Sequence, residues 1–167
     1  MERVLIIGCG GAGKSTLARK LGDKTGLPVV HLDQLWWSPG NWQHLERPEF
    51  EKLLVEEMEK PRWILDGNFR RMLEMRLEKC DTVIYLDFPN WVCLKNWMGR
   101  VIKNWGHARS DMADGCTERF DPEFARWILN FNKTYRARFY ELLNNARGKQ
   151  IIILKSRREV EKFLNSL

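Results

Sequence analysis

Four glycines fall within six residues, Gly8-Cys9-Gly10-Gly11-Ala12-Gly13, directly between an apolar run, Arg3 to Ile7, and a stretch of helical spacing that opens at Lys14-Ser15. This strand-to-helix passage through glycine constrains the chain more than any other feature. Residues 8–15 fit G-x-x-x-x-G-K-[ST], with the strand before and the helix after that give the pattern its meaning. Glycines let backbone N–H groups converge on a phosphate chain, and the helix N-terminus adds a favourable dipole. Lys14 supplies a cation to β/γ-phosphates and Ser15 a hydroxyl to Mg²⁺. The candidate nucleotide-binding set is therefore Gly8, Gly10, Gly11, Ala12, Gly13, Lys14, Ser15 and Thr16.

The same residues also spell G-x-G-x-x-G through Gly8, Gly10 and Gly13, and Asp33 ends the next apolar run about 20 residues on, as a dinucleotide fingerprint requires. Lys14-Ser15 decides against that rival, because a dinucleotide site has no use for a lysine and a hydroxyl there. Five apolar runs with helical stretches between them predict strands over Arg3–Ile7, Val29–Leu32, Trp63–Leu65, Thr82–Phe88 and Ile151–Leu154. Pro48 opens one helix and Asp121-Pro122 another, which runs on one stripe to Asn145. Ser156-Arg157-Arg158-Glu159 is a capping box that opens the last. The fold expected is α/β: a five-stranded parallel sheet flanked by helices, in the three-layer P-loop NTPase arrangement, as one domain over 1–167. Ligands of such sheets sit beyond the carboxyl ends of the strands, where Gly8, Asp33, Asp66 and Asp87 fall.

Lys plus Arg number 28 against 22 Asp plus Glu, giving a net charge of +6 and a pI of about 9.3. That balance suits a polyanion, either nucleic acid or the phosphates of a nucleotide, and does not choose between them. Cys9, Cys80, Cys93 and Cys116 show no CxxC spacing and read as reduced thiols. No apolar run approaches the ~20 residues that span a bilayer, and the N-terminus has no leader pattern. A cytoplasmic protein without a membrane partner is expected, its oligomeric state left open.

With these segments placed, the chain resembles the adenylate-kinase-like P-loop kinases and, more narrowly, the bacterial DNA topology modulation (FlaR-like) family. The narrower resemblance rests on His31-Leu32-Asp33-Gln34-Leu35-Trp36-Trp37, Trp63-Ile64-Leu65-Asp66-Gly67-Asn68-Phe69, Asp111-Met112-Ala113-Asp114-Gly115-Cys116 with Glu118-Arg119, and Leu154-Lys155-Ser156-Arg157-Arg158. It implies ATP as phosphoryl donor, Mg²⁺ as metal and a small nucleotide or nucleoside as acceptor. The family label implies an effect on DNA. Asp66-Gly67-Asn68-Phe69-Arg70 is similar to the Asp-Gly-Phe-Pro-Arg block of adenylate kinases, so the metal role passes to Asp66. Asn68-Phe69 replaces Phe-Pro, and the resemblance stops short of Arg70.

Each candidate also has a plain structural reading. Asp66 is either a metal-holding carboxylate or part of a turn. Asp33 either handles the acceptor hydroxyl, as the resemblance to small-molecule kinases implies, or caps the next segment, with His31 on the same strand face. Arg100, Arg109 and Arg119 bracket a segment without period, about 106–119, which the resemblance makes a lid over the donor phosphates; otherwise they are surface charges. Arg126 and Arg138 read as surface charges. Trp36, Trp37 and Trp42 either sandwich a planar base or form a satellite core. Cys9 is a small filler of the loop, and the resemblance makes Arg157 a stacking candidate for the donor base. Two functions follow: an ATP/Mg²⁺-dependent phosphotransferase, or a nucleotide-binding DNA regulatory protein with little turnover. Against the second, no helix-turn-helix, zinc finger or basic arm is visible.

Overall fold

The computed structural model describes residues 1–38, 43–107 and 110–167. Trp42 and Arg109, and with them the Pro39-Gly40-Asn41 turn signal, lie outside the described residues. Five strands, β1 (Arg3–Gly8), β2 (Val29–His31), β3 (Trp63–Asp66), β4 (Thr82–Leu86) and β5 (Gln150–Leu154), form one sheet in the order β2-β3-β1-β4-β5. Every pairing is parallel. β1 is central, and Val4 to Ile7 are completely buried. A strand covered on both faces reads as an unbroken apolar run, which is why this one was legible. The connections pass from one side of β1 to the other, so its carboxyl end opens the crevice where such sheets bind ligands.

The helices are α1 (Lys14–Thr25), α2 (Leu32–Trp36), α3 (Arg47–Glu59), α4 (Leu73–Lys79), α5 (Asn90–Lys103), α6 (Pro122–Phe131), α7 (Ala137–Asn145) and α8 (Arg157–Asn165). α1 ends at Gly26, whose left-handed backbone donates its N–H to the Gly22 carbonyl. Asp121 accepts from the N–H groups of Glu123 and Phe124, and Ser156 from that of Glu159, so both expected caps form.

Two expectations need correction. β2 stops at His31, and Leu32 already belongs to α2. Asp33 therefore lies in the first turn of a short helix, where its charge suits the dipole. It is neither the N-cap, a position His31 holds, nor a strand neighbour of His31. The long helix from Asp121 to Asn145 is also not uniform. Asn132–Arg136 forms a π-helical turn between α6 and α7. Asn132 explains it: its backbone N–H donates to Asn90 Oδ1 at 3.3 Å and its amide to the Phe88 carbonyl at 3.1 Å. Those bonds compete with the helical ladder, and one extra residue is looped into the turn. The apolar stripe survives, with Ile128, Phe131, Phe139 and Leu143 buried.

Candidate active site

The glycine loop leaves β1 at Gly8 and enters α1 through Gly13, which holds a left-handed φ of 93°. Gly13 offers no side-chain cap, so the first N–H groups of α1 stay directed at whatever lies before the helix. Gly11 is required twice over. Its φ is 80°, and a Cβ there would stand 2.1 Å from the Cys93 carbonyl oxygen of α5. Lys14 bends back across the loop, its Nζ donating to the Cys9 carbonyl at 3.0 Å. Ser15 is half-buried one residue into the helix and Thr16 is exposed. Cys9 fills the space beneath. A hydrogen bond with Cys93, then burial, push its thiol well above the ordinary range, which keeps it a neutral filler.

Two neighbours hold this loop in shape, and neither part was legible in the sequence, where Asn68 stood only as a departure from the Phe-Pro block. Asn68, just past β3, clasps Gly8 from both sides: Oδ1 accepts from the Gly8 N–H at 3.0 Å and Nδ2 donates to the Gly8 carbonyl at 2.7 Å. A side-chain amide carries a donor and an acceptor side by side, as an ionised carboxylate does not. On the far side, Asn96 of α5 donates to the Gly11 carbonyl at 3.1 Å, and Arg157 donates to Asn96 Oδ1 at 2.9 Å. Arg157, expected near the donor base, thus stands beside the loop through Asn96.

β3 brings Asp66 to the same rim. It is 4% exposed, and its Oδ2 accepts from His31 Nδ1 at 2.8 Å. An ionised carboxylate only accepts, so this contact places the imidazole proton on Nδ1. Asp66 Oδ1 has no hydrogen-bond partner among the described residues. A buried carboxylate oxygen left open fits a group held in magnesium's water shell. The segment after Asp66 is under strain. Phe69 takes φ 28°, a left-handed value that non-glycine residues rarely adopt. Buried Arg76 of α4 holds it there, donating to the carbonyls of Gly67 at 2.7 Å, Phe69 at 3.1 Å and Asn68. Burial lowers the Arg76 pKa to about 9, so at neutral pH it remains a cation aimed at carbonyl oxygens. An arginine in register with Leu73 and Leu77 on a buried helix face was the available sequence signal.

An aromatic cluster gathers around Trp36 and Phe69. The Trp36 indole stacks on His44 at 4.7 Å and meets Phe50 and Phe69 edge-on. Trp36, Phe50 and Phe69 line, with Arg47, Glu51, Arg70 and Arg71, a cavity of about 180 Å³. Arg70 also lies 3.8 Å over the Tyr135 ring, presented by the π-helical turn, and borders a second cavity of about 480 Å³ with Tyr135 and Arg138. Arg138 pairs with exposed Glu74 and Glu141, as a surface charge does. Asp87, at the fourth strand end, is taken up by Arg136 at 2.7 Å and Tyr140 at 2.8 Å and belongs to the scaffold.

Arg100 of α5 pairs with buried Glu118 at 3.2 Å. The segment around 106–119 carries neither helix nor named strand among the described residues; Trp105 and Glu118 form one isolated bridge. Met112, Ala113 and Cys116 make a small separate core against Trp37. Ser110 accepts from Arg19 of α1 at its hydroxyl and from Gln34 of α2 at its carbonyl. The segment thus spans from the glycine-loop helix to the helix that carries Asp33. Arg119 is exposed at its end.

At the level of sequence, no protein-family model and no curated protein matches the chain. A solved structure does. Shikimate kinase from Bacteroides thetaiotaomicron superposes with a TM-score of 0.57 at 18% identity, over 99% of this chain and 95% of that one. The chain has the P-loop NTPase fold of that structure. The five-stranded parallel sheet flanked by helices matches that fold, whereas nothing in the likeness bears on the DNA topology modulation family. Among the described residues no helix is long and apolar enough to cross a membrane.

Proposed function

We propose that the chain is a phosphotransferase that moves the γ-phosphoryl group of ATP to a hydroxyl of a small acceptor. The observation that carries this reading is the shared rim: the Lys14 loop clasped by Asn68, with the unpaired Asp66 oxygen two residues before that clasp. The loop amides and Lys14 bind the β- and γ-phosphates. The acceptor lies against Trp36 and Phe69, with Arg47, Arg70 and Arg71 to receive an anionic group. Asp33, in the first turn of α2, orients the attacking hydroxyl and takes its proton as the oxygen–phosphorus bond forms and the bond to the ADP oxygen breaks. With a loose transition state, orienting matters more than basicity. Ser15 and Asp66 are the side chains that would hold Mg²⁺. That ion neutralises charge on the β- and γ-oxygens when bound.

The 106–119 segment acts as the lid. Arg100, Arg119 and Arg109 are its candidate phosphate contacts, and closure keeps water from the γ-phosphoryl. The aromatic cavity supports a small ring-bearing acceptor with a phosphate or carboxylate. Shikimate kinase, whose name gives its own acceptor, is consistent with a cyclic hydroxy acid, and nucleosides and nucleotides remain in the class. The test is ADP release measured by coupled assay across nucleosides, nucleotides and cyclic hydroxy acids, with Lys14→Ala as control. Turnover with one acceptor class that vanishes in the control is expected. No turnover with any of them, together with tight binding of duplex DNA, would overturn the kinase reading in favour of nucleotide-dependent DNA binding.

A further inference from the structure

α5 carries two faces. Asn96 and Arg100 point to the glycine loop and to Glu118. On the opposite side runs a stripe of large apolar residues: Trp91 at 67% exposure, Met98 at 43%, Ile102 at 75% and, just past the helix end, Trp105 at 61%. Tryptophan is rarely left so open in a folded chain. At the 150–250 Å² an aromatic side chain presents, the stripe exposes roughly 500 Å² of apolar surface, near the top of what a monomer shows.

The spacing says what fits it. Trp91 and Trp105 each stand seven residues from Met98, Trp91 about 10 Å along the helix axis and Trp105 two residues past the helix end. The spacing is therefore symmetric about Met98, so the stripe run backwards repeats its own order of residues. Gly99 sits beside that midpoint, in the interior of α5, where glycine weakens a helix relative to alanine. Nothing lies within 4 Å of the position its Cβ would take, so packing inside the protein does not require it. One residue is a turn of about 100° about a helix axis, so Gly99 borders the stripe in the row of Lys95 and Lys103, and its missing side chain leaves that edge open to a second backbone.

We propose that the stripe is the interface of a two-fold homodimer, with α5 crossing α5 of a second copy antiparallel at Met98-Gly99. Each Trp91 then meets Trp105 of the other copy. This is the self-complementary patch that two-fold symmetry demands. Pairing removes roughly 1,000 Å² of apolar surface, the size at which specific interfaces begin. Lys95 and Lys103 flank the stripe; their stems cover apolar surface while their ammonium groups stay in water. Because Asn96 lies on the far face, both glycine loops stay open in the dimer.

Sedimentation velocity of the full chain from about 1 to 100 µM, at low and high salt, reads the association. A dimer is expected that tightens as salt rises, since the flanking lysines repel and apolar burial does not. Ile102→Glu should weaken it at least about 100-fold, with ATP affinity unchanged. Gly99→Ala should weaken it about tenfold while raising the melting temperature of the dilute monomer, opposite signs that a merely structural glycine would not give. All four native cysteines are buried, so Met98→Cys adds a single exposed thiol. A short bis-maleimide should link it across the axis, and should not link Val55→Cys on α3. A chain that stays monomeric at about 100 µM, a dimer indifferent to Ile102→Glu, one that weakens with salt, or equal cross-linking at both cysteines each overturns the proposal.

Discussion

Replacing Asn68 by Asp changes one NH₂ into one oxygen, and the clasp on Gly8 predicts what that does. The bond from the Gly8 N–H, 3.0 Å, survives and is strengthened by charge. The bond to the Gly8 carbonyl, 2.7 Å, is lost, and a carboxylate oxygen is left facing a carbonyl oxygen. The pair is half-buried, so solvent offsets part of the loss, and the stability cost should stay near ~1 kcal/mol. The effect on ATP is larger. A unit negative charge about 10 Å from Mg-ATP, taken as one net uncompensated phosphate charge, costs roughly 1.5–2 kcal/mol at an effective dielectric of about 20. ATP affinity should therefore fall by about 10- to 30-fold. Asn68→Ala separates the two effects. It removes both bonds, costs about 1–3 kcal/mol of stability, and weakens ATP only through a looser loop. Calorimetric titration with Mg-ATP at two ionic strengths, alongside urea denaturation, distinguishes them: the Asp penalty shrinks with salt and the Ala penalty does not. An Asn68→Asp protein that binds ATP within twofold of the parent would refute the reasoning, because the clasp would then lie out of reach of the phosphates.

Gly11→Ala should destabilise the fold by about 3 kcal/mol or more and abolish ATP binding, since the added carbon meets the Cys93 carbonyl and the left-handed φ is itself unfavourable; calorimetric melting and titration check both. Asp66→Asn should lower turnover far more than ATP affinity, while Asp33→Asn should raise KM for the acceptor and lower kcat; equal parental kinetics for both would make the carboxylate rim scaffolding. Arg76→Met leaves the carbonyls of Gly67, Asn68 and Phe69 without their donor, at about 3–5 kcal/mol by urea unfolding, and Arg76→Lys should recover only part of it. The 106–119 segment should gain hydrogen-exchange protection with a bisubstrate analogue; equal protection with and without it removes the lid.

The sequence by itself determined the glycine loop, the helix it opens, and five strands in an α/β alternation. Those features are local. Positive-φ glycines, a capping aspartate before Pro122 and apolar runs such as Val4–Ile7 act within a few residues. Boundaries were less legible where local signals conflict, as at Asp33 and at the π-helical turn that Asn132 imposes from contacts more than 40 residues away. The site itself was decided by tertiary structure. Asn68 reaches Gly8 across 60 residues and Asp66 meets His31 across 35. Both contacts exist because β3 lies between β1 and β2. Strand order follows from which apolar faces and crossovers pack best together, a property of the assembled sheet that no window of the chain encodes. The loop could be read as a phosphate cradle from its letters; the groups that hold its shape and stand opposite it appear only when the strands are side by side.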